Sequence, residues 1–247
     1  MLIDLIRSGL EPRQIIYYAL IYLFAMTLAF SIHEFMHAAV AVWLGDETPR
    51  NMGRLTLNPI AHIDPVGTFL ILLAGFGWGK PVMYNPSRLN RFRSHRWMNI
   101  MVHLAGVTGN FVLGIVCTIL SLLFGGLAVK FPDAALALRT VSDAMSFTVD
   151  FSMMLLAFNL LPIPPLDGFH VLEEALPYKW KSTNGYRKFQ QFSPMAIWIV
   201  FILSITTGLP LLSKIIEIVE TPFVYIISLI SVPFIMFLQA LGMNPYV

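Results

Sequence analysis

The chain has a single cysteine, Cys117, and only 12% of its residues are charged. One cysteine excludes an internal disulfide framework and any cysteine-based zinc cluster. Cys117 lies within an apolar run and reads as a small buried side chain. The scarcity of charge matters more. Soluble domains carry about 25% charged residues. With 57% apolar residues and a mean hydropathy of +0.71, this composition points to a chain whose solvent is the bilayer. The net charge of +2 is small, and with no basic stripe with interleaved aromatics and no nucleic-acid motif a nucleic-acid partner is not expected. The sequence shows no internal repeat and no low-complexity tract, and a second soluble domain is not expected.

The start, MLIDLIRSGLEPRQ, carries Asp4 and Glu11, with no long apolar core and no small-residue cleavage site. It does not read as a secretory signal. Residues 1–13 are expected to form an amphipathic piece at the membrane interface. Long apolar stretches follow at 14–44, 98–129 and 143–161, and two more at about 194–213 and 221–242. A helix over 14–44 would be about 46 Å long, more than the roughly 30 Å hydrocarbon core, so it must tilt, protrude or break. Residues 66–78 are apolar but short for a span, and a re-entrant element is expected there. GRLTLNP, within the polar stretch 45–65, is expected as a short strand. Pro210 and Pro222 are expected at helix ends or kinks. The fold class is therefore an all-α polytopic membrane protein of five or six membrane segments with a small strand or re-entrant element. The expected divisions are an interfacial segment at 1–13, a membrane core at 14–172, and a polar loop with C-terminal membrane helices at 173–247.

Loop 79–97 carries Lys80, Arg88, Arg91, Arg93 and Arg96 and no acid. Segment 173–193 carries Lys179, Lys181, Arg187 and Lys188 against Glu173 and Glu174. Two spans separate these loops, so both lie on one side, which the positive-inside rule makes the cytoplasm.

The chemistry concentrates in His33-Glu34-Phe35-Met36-His37. Residues i and i+4 of a helix lie on one face, one turn apart. The two imidazoles can therefore serve one zinc ion, and Glu34 stands beside them to take a proton from a water that the metal activates. Each ionisable group inside an apolar helix costs about 2.5–3.5 kcal/mol or more, so three within one turn need a reason. A catalytic zinc needs a third protein ligand and an open position. Asp167 is the best candidate, in Asn159-Leu-Leu-Pro-Ile-Pro-Pro-Leu-Asp-Gly168, where Pro162, Pro164 and Pro165 break the helix beside a cavity. Asp64 and Asp150 compete for the role. Asp167 can meet His37 only if residue 44 also ends on the cytoplasmic side, which requires the hairpin reading of 66–78.

HEFMH in a membrane helix, followed by LDG after a later span, resembles the site-2 protease family of intramembrane zinc metalloproteases. GDETPRNMGRLTLNPIAHIDPVGT and GFGWGKPV are similar to segments of its compact prokaryotic members, and AGVTGN at 105–110 resembles a degraded AGPxxN. The resemblance covers about residues 28–172. It implies a three-helix catalytic core in the cell membrane. His33, His37 and Asp167 would bind one zinc per chain, Glu34 would be the general base, and Asn159 would position substrate or the developing oxyanion. The substrates would be membrane-embedded proteins. Val107 and Thr108 depart from the family's Gly-Pro, and no PDZ or CBS domain is expected within the 247 residues. Of the remaining residues, His62 reads as a partner behind the metal ligands, as a substrate contact or as a hydrogen-bonded loop residue. His103 and Asn110 read as bundle hydrogen-bonders. His170 reads as a spare ligand or, more readily, as a residue behind the ligands or on an exposed loop. A metal transporter and a catalytically inactive binding protein of the same fold are the rival readings.

Overall fold

The computed structural model describes residues 9–74, 79–207 and 211–244. Most of the expected interfacial piece, and residues 75–78 of GFGWGKPV, lie outside them. The first helix, α1 (Pro12–Trp43), is capped by a reciprocal box between Glu11 and Gln14. It is followed by α2 (Thr48–Asn51), a 3-10 turn at Pro59–Ala61, and α3 (Pro65–Ala74). The chain then continues through α4 (His95–Lys130), α5 (Ala135–Asn159), α6 (Asp167–Ala175), α7 (Tyr178–Lys181), α8 (Asn184–Thr207) and α9 (Leu211–Ala240).

Among the described residues, four segments are long and apolar enough to cross a membrane: Pro12–Trp43, His95–Lys130, Pro132–Asn159 and Leu211–Ala240. The expected number was five or six. The stretch expected at about 194–213 instead meets the end of α8 and residues 208–210, which lie outside the described set. The gap between the stretches expected at 98–129 and 143–161 shrinks to a short 3-10 corner, because α5 already starts at Ala135. Pro222 does not end a helix. Both it and Pro233 lie inside α9, as membrane helices tolerate when neighbours and local adjustment accommodate the missing donor.

No strand occurs among the described residues, which corrects the expectation at GRLTLNP. A strand needs a ladder partner, and here the local polar groups are satisfied otherwise. The Arg54 guanidinium donates to the Ala61 carbonyl, and the Arg54 amide donates to Pro49 at 2.8 Å. Thr56 Oγ1 accepts the Asn58 amide at 3.1 Å.

Helices α1, α4 and α5 form the core. Met26 and Ala29 pack on Phe151 and Leu155, and Val107 packs with Met153, Leu156 and Ala157. Helix α9 closes one side through Ile227 and through Phe223, whose ring lies 5.6 Å from that of Phe111. Gly106, Gly109 and Gly114 let the neighbours approach α4 closely. A Cβ at Gly109 would lie 2.5 Å from Met36 Cγ, and one at Gly114 would lie 2.6 Å from Met153 Cε. Small residues serve this purpose in membrane bundles, where close backbone approach supplies the packing energy.

The described residues between 45 and 94 begin and end beside the same end of α1. Helix α3 has ten residues, about 15 Å, which is half the hydrocarbon core. The chain then returns to the end of α1 from which it left, where the Leu44 carbonyl accepts the amides of Asn90 at 3.0 Å and Arg91 at 3.2 Å. The carboxylate of Asp46 is fully buried and accepts from Thr48 Oγ1 at 2.6 Å, the Thr48 amide at 3.1 Å and the Asn85 amide. This clip ties the returning loop to α1. Asp46→Ala would orphan two amides, and hydrogen bonds to charged groups contribute about 1.5–3 kcal/mol each. We expect a loss of about 3 kcal/mol and faster amide hydrogen exchange confined to 79–94, read by mass spectrometry; unchanged exchange there would show the clip to be dispensable.

Candidate metal centre

In α1, His33 and His37 stand one turn apart, and both are buried together with Glu34. Their Nε2 atoms are 3.1 Å from each other. The Asp167 Oδ2 atom is 3.2 Å from each of them. The two rings meet edge to face at 80°. His37 Nδ1 donates to the Val102 carbonyl at 2.7 Å, which leaves the lone pair of Nε2 aimed at the other two donor atoms.

Asp167 reaches this point because the chain breaks at the end of α5. The run Leu160–Leu166 holds three prolines and a cis peptide bond between Pro164 and Pro165, and α6 begins at Asp167. The carboxylate thus sits in the first turn of α6, where the helix dipole favours negative charge. Gly168 is forced by contact with backbone, since a Cβ there would collide with the Leu160 carbonyl oxygen and lie 2.9 Å from that of Leu161. Helix α6 is held on both flanks. Arg96 donates to the Ala175 carbonyl at 2.9 Å and Asn99 to Glu174 at 2.8 Å. On the other side Phe169 stacks on Tyr186, whose hydroxyl donates to Glu173 at 2.6 Å.

Burial pushes the Asp167 carboxyl up, but the imidazoles of His37, His103 and His33 beside it outweigh this, so the group is held well below the usual carboxylate range. His103 Nδ1 lies 3.7 Å from Asp167 Oδ1, an electrostatic contact rather than a hydrogen bond. His103 Nε2 pairs with the Tyr84 hydroxyl at 2.9 Å, and its ring stacks on His170 at 4.6 Å. Burial, followed by the fields of Glu174, Asp167 and Asp46, pushes the Tyr84 hydroxyl up and keeps it a neutral donor. Glu34 Oε2 accepts the Val82 amide at 2.8 Å.

The donor atoms of His33, His37 and Asp167 lie within 4.8 Å of one another and could hold a metal ion. They fit zinc. Zn–N and Zn–O bonds of about 2.0–2.1 Å in a tetrahedron separate the ligand atoms by about 3.3 Å, close to the 3.1 and 3.2 Å found. Three vertices are supplied, and a catalytic site keeps the fourth open.

The structure therefore brings together His33, His37 and Asp167, with Glu34 beside them. Asn159 ends α5 with its amide donating back to Leu155 at 2.9 Å within its own helix. Asp150 lies within α5, and Asp64 caps the first turn of α3 by accepting the Val66 and Gly67 amides. His62 is buried and donates through Nε2 to the Thr56 carbonyl at 2.8 Å. Sequence reasoning missed the place of His103 beside Asp167, though a histidine inside a second apolar span was the available signal. It also missed Gly106. A Cβ there would collide with His37 Nε2 and lie 2.6 Å from His33 Cε1 and 2.8 Å from His33 Nδ1.

A family model described as "Peptidase family M50" matches residues 123–206, a stretch that contains Asp167 but not His33 and His37. The "Putative zinc metalloprotease YwhC" of Bacillus subtilis (strain 168) is 39% identical over 153 residues, covering 62% of this chain and 67% of the relative. The chain belongs to peptidase family M50, the site-2 proteases. "Putative zinc metalloprotease Rip2" of Mycolicibacterium smegmatis (strain ATCC 700084 / mc(2)155) is 32% identical over 158 residues, 60% of this chain and 54% of the relative. The protein of that name from Mycobacterium tuberculosis (strain ATCC 25618 / H37Rv) is 27% identical over 187 residues, 72% of this chain and 64% of the relative. This member of the family thus spans about half to two thirds of those relatives' length. No solved structure matches.

The packing of Gly168 is testable. Gly168→Ala is expected to lower the metal retained by detergent-purified protein at least about 10-fold, by moving Asp167 away from the histidines. Gly185→Ala, where an added Cβ meets nothing within 4 Å, should leave it unchanged. Equal metal in both variants, by elemental analysis, would contradict the close-approach explanation.

Proposed function

We propose that the chain is an intramembrane zinc metalloendopeptidase that hydrolyses peptide bonds in the transmembrane segments of membrane proteins. The observation that carries this reading is the meeting of His33, His37 and Asp167 from motifs about 130 residues apart at tetrahedral ligand spacing, inside a bundle of membrane-length helices. In this reading the three side chains hold one zinc per chain. Zinc at such a site lowers the pKa of water and polarises a carbonyl. Glu34 takes the proton of the attacking water and passes it to the leaving amine. Its Oε2 is fixed by Val82, and the second carboxylate oxygen is left for proton transfer. Asn159 is assigned to positioning the substrate backbone, one helix break away from Asp167.

The substrate segment must be extended where it is cut, because a helix sequesters its carbonyls in internal hydrogen bonds. The basic bias of 79–97 and 173–193 supports an orientation with the metal end of α1 toward the cytoplasm of a prokaryotic cell membrane. Helix α6 and the loop that returns to Leu44 both lie at that end, in agreement with this orientation. A transporter would need several ligand clusters along a path, and one cluster is found among the described residues.

Two outcomes are expected. Wild-type protein purified in detergent should hold one zinc per chain, lost in both His33→Ala and Asp167→Ala; zinc kept by Asp167→Ala would remove Asp167 from the site. Glu34→Gln should keep the zinc while slowing cleavage of a membrane-embedded reporter by about 10²–10⁴-fold. Cleavage by this variant at the wild-type rate, in a purified system, would rule out the proposed proton transfer.

A further inference from the structure

The two histidines differ in what holds them. His37 is oriented by the Val102 carbonyl, whereas His33 Nδ1 is buried and has no hydrogen-bond partner. Metal-binding histidines nearly always donate their other ring N–H to an oxygen, which fixes the tautomer and the ring plane. Such a donor, buried and unsatisfied, is destabilising.

An acceptor of the right kind is nearby. Asn110 is fully buried at 0% exposure, and both its Oδ1 and its Nδ2 lack partners. The residue sits four positions beyond Gly106 and therefore on the same face of α4, one turn along. Gly106 is the residue whose missing Cβ leaves space against His33, with Nδ1 2.8 Å from where that Cβ would stand. Long side chains on a helix lean toward its N-terminus, which for Asn110 is toward Gly106 and His33. A third orphan, Ser152 Oγ, lies on α5 between Phe151, which packs on α1, and Met153, which packs on α4. Unsatisfied buried polar groups from three helices are the setting in which an internal water, with about three hydrogen bonds, is found.

We infer that Asn110 is the outer hydrogen-bond partner of His33 and fixes the orientation of that ring for the metal. Because each atom is unpartnered as the side chains stand, the link runs through one buried water: Nδ1–H donates to the water, and the water donates to Asn110 Oδ1. Asn110 is a positioning residue, since it touches neither metal nor substrate. The inference rests on the zinc reading above.

The test compares zinc affinity, by chelator competition on detergent-purified full chain, for wild type, Asn110→Leu and Asn110→Asp. The stability of each metal-free protein is measured alongside. Asn110→Leu keeps the volume and removes the acceptor, and is expected to weaken zinc binding about 10–100-fold. Asn110→Asp restores an acceptor and is expected to return affinity to within about threefold of wild type. Without metal, Asn110→Leu should melt close to wild type, because the side-chain volume is kept, so that its weaker zinc binding is not a loss of folding. Wild-type affinity in Asn110→Leu overturns the inference, and so does a weakening that Asn110→Asp fails to reverse. A wild-type protein that binds no zinc overturns the metal reading itself, and this inference with it.

Discussion

Two imidazole lone pairs and one carboxylate oxygen face each other at 3.1–3.2 Å inside an apolar bundle. Three electron-rich atoms at that distance repel unless a cation lies among them, and burial removes the water that would otherwise screen the repulsion. The rest of the catalytic half serves this demand. Helix α1 supplies two donors by its own periodicity, but the third comes from a region about 130 residues later. Everything between must return the chain to the same depth. The short helix α3, the Asp46 clip and the antiparallel course of α4 and α5 accomplish that return.

Close approach is the second constraint. Gly106 brings α4 against the two histidines, and Gly168 brings α6 against the broken end of α5. Neither glycine is needed for an unusual φ, because neither adopts a positive one. Each is needed because a methyl group would occupy the position of a ligand or of a carbonyl. The LDG sequence therefore combines two requirements in adjacent residues: an acid that starts a helix, and the absence of a side chain that lets this helix start against another backbone. The three prolines before it end α5 and leave the intervening carbonyls to be satisfied locally, as in the bond from the Leu166 amide to Ile163 at 3.0 Å.

How much was legible beforehand follows the range of the interactions. The pairing of His33 with His37 is set by helix periodicity and could be read directly. Asp167 could be chosen over Asp64 and Asp150 because chain breakers next to an acid after a span have few other uses. Charge bias made the hairpin reading of 66–78 consistent with this choice, and the bonds at Leu44 follow the same path. The strand expected at GRLTLNP failed because strand propensity is realised only against a partner, and local turns and Arg54 satisfied that backbone instead. Helix α9 begins ten residues before the expected stretch at 221–242 and carries Pro222 inside it, because neighbouring helices and local adjustment can satisfy the carbonyl that a proline frees. The roles of His103, Tyr84 and Gly106 depend on which face of α4 meets α1 and α6, and no local pattern encodes that choice.

The hydrogen bond from Val82 to Glu34 joins these constraints to the chemistry. In the proposed mechanism Glu34 must be buried enough to act as a base in a low dielectric, yet held so that it does not turn toward the histidines. A side-chain partner could do this only with its own desolvation cost, whereas a backbone amide brings a donor that the loop must satisfy in any case. Residues 79–85 are anchored at Lys80 by the His62 carbonyl, at Asn85 by Asp46 and at Val82 by Glu34 itself. The re-entrant excursion therefore does more than bring the chain back to the metal end. It places one backbone N–H where it restrains the base and leaves the second carboxylate oxygen free, so the position of Glu34 depends on a loop that contributes no reactive side chain.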